Sequence, residues 1–177
     1  MDRFDTCLAF TLREEGPPSN DPGDPGGLTV FGCDQASWPD TLARLPRDVR
    51  ATMPAHVRDL TLPLATEVYR WAFWNHARCG EMPAGVDLVL FDGSVNPGPN
   101  WSPRALQRAL GVEADGVLGP VTMAAVQACD PAAVINMISA QRRAYYRSRP
   151  GCHLFGDDWL GRADRCRDCA LAAVAAS

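Results

Sequence analysis

The sequence has no lysine, no long apolar run and no excess of positive charge. All 17 basic residues are arginine, and 21 acidic residues bring the formal net charge to −4. Binding to nucleic-acid phosphates needs a cationic field, so this balance argues against nucleic acid as the main partner. No stretch of about 18 consecutive apolar residues occurs, which argues against a membrane-spanning helix.

The length and composition predict one globular domain over residues 1–177. A mass of 19.2 kDa corresponds to burial of about 70% of the unfolded surface, enough for a core without metal or disulfide support. The hydrophobic fraction of 46% and the charged fraction of 21% are ordinary for folded domains. We therefore predict no cofactor and expect a monomer.

Seven cysteines, an odd number, are spread widely along the chain. We expect reduced thiols, several of them buried. The one suggestive group combines Cys152 and His153 with Cys166 and Cys169. Because adjacent residues reach one tetrahedral ion poorly, we predict no metal, and a zinc site or a disulfide in this group stays open as an alternative.

The pattern is mainly helical with one small β element. An apolar stripe predicts an amphipathic helix over residues 2–15, in which Glu15 ends the apolar face and Glu14 turns to solvent. Dense turn signals followed by a β-branched run predict a hairpin lobe around residues 19–33. Residues 85–94 fit a strand or a buried helix. Further helices are predicted at 40–45, 46–52, 54–59, 63–78, 102–110, 119–128, 130–148 and 157–174.

Two carboxyl groups near the first helix end offer acid–base chemistry. Glu15 closes an apolar face, where desolvation raises a carboxyl pKa and favours a general acid. Asp24 lies in a polar turn that favours its charged form, and Thr29 could hold a water on the opposite sugar face. A solvated glutamate and a turn-forming aspartate explain the same spacing without catalysis.

Residues 15–32 resemble the opening signature of the glycoside hydrolase 108 muramidases, in which Glu-Gly-Gly leads through Asn-Asp-Pro and Asp-Pro-Gly-Gly to Thr and Gly. They are also similar to phage-type lysozymes. The resemblance implies a mainly α, lysozyme-like α+β fold, with Glu15 as catalytic acid and Asp24 and Thr29 as its partners. Pro17 and Pro18 stand where the family has a glycine and an aromatic residue.

Other blocks extend the resemblance over nearly the whole chain. Residues 105–122 are similar to a predicted peptidoglycan-binding motif, although they also fit a structural turn between two helices. The resemblance thus implies a catalytic helix and hairpin lobe over 1–65 and a helical lobe over 66–177. Matching blocks also occur at 68–74, 91–98, 142–146 and 155–162.

Four side chains are candidates for binding glycan. Trp74 and Trp101 are the preferred stacking tryptophans, because they lie near a helix end and in a loop. Asn96 is a candidate hydrogen-bonding partner for an acetamido group, or else a cap for its own turn. Gln107 belongs to the peptidoglycan-type motif and is either a glycan ligand or a structural residue.

The implied activity is hydrolysis of the β-1,4 bond between N-acetylmuramic acid and N-acetylglucosamine in peptidoglycan strands. A separation of about 6.5–9.5 Å between the two carboxyl groups favours inversion, and about 5–5.5 Å favours retention. Two alternatives stay open: a weakly catalytic binding module, which Pro17 and Pro18 motivate, and a lytic transglycosylase.

The first residues also predict where the protein is made. They lack the pattern of a secretory signal peptide, so we expect synthesis in the cytoplasm. Action on the cell wall then requires release by a holin, a secretion route or lysis, which indicates a phage-like role.

Overall fold

The chain divides into two compact units, Met1–His76 and Ala77–Ser177. A computed structural model describes residues 2–16 and 27–177. Both units are mainly helical, and one two-stranded antiparallel sheet lies in the first. The predicted mainly α fold with a small hairpin is confirmed.

The first unit consists of short helices around a hairpin. Proline lies in the first turn of α2 (Trp38–Ala43) and of α4 (Leu62–Val68), where its fixed φ suits a helix and its missing N–H costs no hydrogen bond. The last helical segment continues α4 as a π-helix, where a single helix over 63–78 was predicted. The elements are α1 (Arg3–Glu15), β1 (Thr29–Val30), β2 (Cys33–Asp34), α2 (Trp38–Ala43), α3 (Arg47–Arg50), a 3-10 turn (Val57–Asp59), α4 (Leu62–Val68) and the π-helix (Tyr69–Asn75).

The hairpin closes through a two-residue loop. Val30 pairs with Cys33, and the intervening Phe31 and Gly32 have φ values of 49° and 74°. Positive φ at both central residues is the type I′ geometry, whose twist matches that of the two strands. The predicted hairpin extends to Asp34, one residue beyond its expected end, and its early part lies outside the described residues.

The burial of α1 differs from the prediction at its second glutamate. Phe4, Cys7 and Thr11 are buried, and they define a stripe at helical spacing that continues to Glu14. The Glu14 side chain is only 6% exposed. The prediction that Glu14 faces solvent is therefore wrong, because it used only the strongly apolar residues and left out Cys7 and Thr11.

The second unit is a bundle in which α6 (Trp101–Leu110), α8 (Pro131–Arg147) and α9 (Cys152–Ala175) surround α5 (Val86–Val95). Every residue of α5 from Val86 to Ser94 is buried, including Asp87, Asp92 and Ser94, and apolar residues lie on all its sides, as expected for a central helix. Helices α6, α8 and α9 contact it, so the segment predicted as strand or helix is the central helix. The elements are a 3-10 turn (Cys79–Glu81), α5 (Val86–Val95), α6 (Trp101–Leu110), α7 (Pro120–Gln127), α8 (Pro131–Arg147) and α9 (Cys152–Ala175).

A buried cluster of charged side chains connects three of these helices. Asp92 of α5 is fully buried and accepts hydrogen bonds from Arg142 of α8 at 2.6 Å and from Arg162 of α9 at 2.7 Å. Burial alone would raise the pKa of Asp92, but the two guanidinium groups lower it to about 2. The carboxylate is therefore ionised at neutral pH and has a structural role.

Candidate active site

Glu15 is the last residue of α1, and its position follows from how that helix ends. Gly16 has a φ of 73°, a left-handed conformation that glycine adopts without steric cost and that stops the helix. The residue is half-buried, and its Oε1 atom is buried. Burial disfavours the charged form of a carboxyl, so this position suits a group that carries a proton.

The hairpin loop packs directly against this carboxyl. A Cβ built on Gly32 would lie 2.8 Å from Glu15 Cγ and 2.9 Å from Glu15 Oε2, and it would also collide with the Tyr69 hydroxyl. Only glycine therefore leaves room for both side chains. The Tyr69 hydroxyl, at the start of the π-helix, donates a hydrogen bond of 2.9 Å to the Phe31 carbonyl and so fixes the loop beside Glu15.

A neutral thiol is a further neighbour of the site. Burial raises the pKa of Cys33 to about 12, and the nearby carboxyls of Glu15 and Asp34 contribute to the rise. Cys33 therefore stays protonated at neutral pH. It packs in the core of the first unit with Trp38 and Val68, so it is not a candidate nucleophile.

The two predicted partners of Glu15 fall in the part of the sequence for which a hairpin lobe is predicted. Thr29 is half-buried in β1 and pairs with Asp34. Asp34 in turn accepts hydrogen bonds from the backbone N–H and the hydroxyl of Ser37, which holds the start of α2. Asp24 lies outside the described residues, and its role stays a prediction.

The predicted glycan-binding tryptophan of the first unit is a buried residue. Trp74 is 6% exposed, and its ring packs edge-to-face on Phe4 with the centroids 5.4 Å apart. Little of its face is open to a sugar. Its position near a helix end favoured an exposed ring that could stack on a sugar. In the structure, the π-helical segment directs this side chain toward the core.

Gln107 organises the loop between α6 and α7. It is 1% exposed, and its Nε2 donates to Asp115 Oδ1 at 2.7 Å, to the Val117 carbonyl at 3.0 Å and to Thr122 Oγ1 at 3.2 Å. Its Oε1 accepts from Gly116 N at 2.7 Å. These contacts give Gln107 a structural role in the loop, and a contact with glycan stays a prediction.

Asn96 and Trp101 lie near a pocket that contains unexpected residues. Asn96 lines a cavity of about 240 Å³, and the Trp101 ring packs at a tilt against Tyr145, which lines the same cavity, with the centroids 6.0 Å apart. Sequence patterns did not single out Tyr145 or Arg149, and Trp159 was not among the preferred tryptophans. The lining residues are Asn96, Pro97, Tyr145, Tyr146, Arg149 and Trp159.

The cysteine group near the C-terminus does not form one site. Cys152 and Cys166 lie on the same helix, α9, so a rise of 1.5 Å per residue separates them by about 21 Å. All seven cysteines are free thiols. Over residues 2–16 and 27–177, no three metal-ligating side chains come together. Cys152 is therefore too far from Cys166 and Cys169 to share a zinc ion or a disulfide with either of them.

No helix in the described part of the chain is both long enough and apolar enough to cross a bilayer.

A mainly α chain with one small hairpin beside the end of its first helix is consistent with a lysozyme-like fold. The model described as "Glycosyl hydrolase 108" matches residues 8–98. A second model, described as "Predicted Peptidoglycan domain", matches residues 102–148.

A solved structure shows the same fold. SagA from Brucella abortus is 32% identical to this chain, with a TM-score of 0.84 over 97% of this chain and 95% of that one. No curated protein matches the chain. The chain belongs to the glycosyl hydrolase 108 family. It is a glycoside hydrolase that acts on peptidoglycan in the cell wall.

Proposed function

We propose that the protein is a muramidase that cleaves the β-1,4 bond between N-acetylmuramic acid and N-acetylglucosamine, with Glu15 as general acid. The observation that carries the proposal is the packing of the Glu15 carboxyl against Gly32, with Oε1 buried. A carboxyl in such surroundings keeps its proton more readily than a solvated one. It can then protonate the glycosidic oxygen as the bond breaks.

The hairpin segment supplies the other half of the proposed reaction. In an inverting mechanism, Asp24 and Thr29 position a water on the sugar face opposite Glu15, and the aspartate takes a proton from that water. Thr29 belongs to the hairpin whose loop contacts Glu15, which supports this assignment. NMR of the first product formed tests the stereochemistry, because inversion yields the α anomer at the new reducing end.

Mass spectrometry of digested cell walls identifies the bond that is cleaved. A muramidase yields fragments with N-acetylmuramic acid at the reducing end, and we expect these. Anhydromuramic ends would identify a lytic transglycosylase, and N-acetylglucosamine at the reducing end would identify a glucosaminidase. Either result, or wall binding without any cleavage, would overturn the proposal. A phage-like role in lysis or release stays a prediction.

A further inference from the structure

The pocket of the second unit has the chemistry of an anion-binding site with aromatic walls. Its volume of about 240 Å³ is below the roughly 300–1,000 Å³ of pockets for drug-sized ligands, so it accommodates one small group. The Tyr145, Tyr146 and Trp159 rings form its walls, with neighbouring centroids 5.8 and 5.7 Å apart. These faces offer apolar contact area of fixed shape.

The buried cluster of charged side chains holds one wall of the pocket in place. The Tyr146 hydroxyl accepts a hydrogen bond of 2.8 Å from Arg142 Nε and lies 3.0 Å from the Asn96 carbonyl, to which it donates. Arg142 also donates to the same carbonyl at 2.5 Å and is paired with Asp92. The wall is therefore preorganised, which reduces the entropy lost when a ligand binds.

Arg149 gives the pocket its charge. Its guanidinium lies 5.5 Å from the centre of the Tyr145 ring, and the residue is exposed. None of the six lining residues, all within the described part of the chain, is acidic. The chain as a whole carries a net charge of −4, so a pocket with one arginine and no carboxylate is a local exception that favours an anion.

We propose that this pocket binds a free carboxylate of the peptidoglycan peptide stem. The carboxylate pairs with the Arg149 guanidinium, and the adjoining aliphatic carbons pack on Tyr145 and Trp159. The N-acetylated sugars of the glycan are neutral at their hydroxyl and acetamido groups and give Arg149 no counter-charge, whereas stem peptides carry free carboxylates. The proposal rests on peptidoglycan being the substrate, but it does not depend on Glu15 being the acid.

Binding of two matched peptides tests the proposal separately from catalysis. We would titrate N-acetyl-L-alanyl-D-glutamate and its diamide into the full chain carrying Glu15→Gln, and follow the Trp159 indole signal by NMR. The two probes differ only in their carboxylates. We expect the acidic peptide to bind about ten-fold more tightly than the diamide, because charge-assisted hydrogen bonds are the stronger ones.

Three substitutions test whether Arg149 supplies the positive charge that binds the acidic peptide. Arg149→Gln should weaken binding of the acidic peptide about ten-fold, whereas Arg149→Lys should retain part of it. Arg147→Gln removes an exposed arginine at the end of α8, two residues before Arg149, that does not line the pocket and should change nothing. Equal affinity for both peptides, no effect of Arg149→Gln, absence of binding, or displacement of the acidic peptide by chitotriose would overturn the proposal.

Discussion

A carboxyl of the second unit and a carboxyl of the first differ in burial and in their neighbours, since Asp92 is fully buried and Glu15 is half-buried. Asp92 in the second unit is held between two arginines that lower its pKa to about 2. Glu15 in the first unit packs against Gly32, and the thiol of Cys33, whose pKa is raised to about 12, lies near it. Both of these neighbours are neutral at neutral pH.

This difference distinguishes Asp92, which has a structural role, from Glu15, which is proposed to take part in catalysis. A carboxylate paired with two cations cannot donate a proton near neutral pH, but it joins α5 to α8 and α9. Burial disfavours the charged form of a carboxyl unless cations compensate for it. Two arginines keep the fully buried Asp92 charged, whereas the half-buried Glu15 is the proposed proton donor.

Removal of the Asp92 charge should have the largest effect on stability. Asp92→Asn leaves Arg142 and Arg162 buried without their counter-charge, and we expect a loss of about 3–5 kcal/mol in the free energy of unfolding, measured with urea. Asp164→Asn is the matched control, because it breaks an ion pair with Arg143 that is partly exposed. The control should lose less than about 1 kcal/mol, and equal losses in both variants would contradict the structural role of Asp92.

Gly32→Ala should disturb Glu15 more than a simple backbone penalty predicts. The new methyl group collides with Glu15 and the Tyr69 hydroxyl, so we expect wall-clearing activity per folded molecule to fall about ten-fold or more, as it does when a reacting group is misplaced.

Gly111→Ala controls for the backbone strain alone. Gly111 has a φ of 70°, and a Cβ there meets nothing within 4 Å. Gly111→Ala should lose only about 1–2 kcal/mol of folding stability, the cost of a left-handed backbone at a residue with a Cβ. It should keep its activity. Full activity of Gly32→Ala would show that the hairpin loop does not position Glu15.

Acid should weaken the second unit through Asp92. The folded pKa of about 2 lies below the ordinary value of 3.8, so the pairing contributes stability at pH values above about 4, and this contribution is lost as the pH falls through about 2. The shift corresponds to about 2 kcal/mol. Unfolding free energies measured between pH 4 and pH 2 should therefore fall less steeply in Asp92→Asn than in the wild type, and identical slopes would contradict the assignment.

Ionic strength should have the smallest effect. A net charge of −4 repels an anionic cell wall, and salt screens that repulsion beyond a Debye length of about 10 Å at 0.1 M. Wall clearing should therefore become faster as salt is first added. A steady fall in the clearing rate with added salt would show that local cationic groups, such as Arg149, dominate the encounter.

Sequence patterns predicted the elements well where the periodicity was strong. The helical character of α1, α6, α7 and α8 follows from caps, prolines and apolar spacing. The hairpin follows from its β-branched run, but its two-residue turn lies at Phe31 and Gly32, within that run. Glu14 was misjudged because weakly apolar residues such as Cys7 and Thr11 also form buried stripes. The π-helical segment that carries Tyr69 and Trp74 gives no signal in the sequence, so the burial of Trp74 was not predictable from position alone.

Local sequence patterns do not predict which residues far apart along the chain come into contact. Asp92, Arg142 and Arg162 each fall within blocks that resemble the family, but their separations along the chain carry no indication that they meet. The pocket beside Asn96 depends on the same tertiary contacts, which bring Tyr145 and Trp159 together from different helices. Gly32 likewise looks like an ordinary turn glycine until its contact with Glu15 is seen.

Comparison of Glu15→Gln with Asp5→Asn in a wall-clearing assay tests the central claim most directly. Asp5 is exposed on the same helix, so the two variants make the same acid-to-amide change at the two ends of α1. We expect Glu15→Gln to stay folded and to lose activity by about 10²–10⁴-fold, the usual contribution of a general acid, whereas Asp5→Asn clears walls at the wild-type rate. Clearing by Glu15→Gln at the wild-type rate would contradict the assignment of the proton donor.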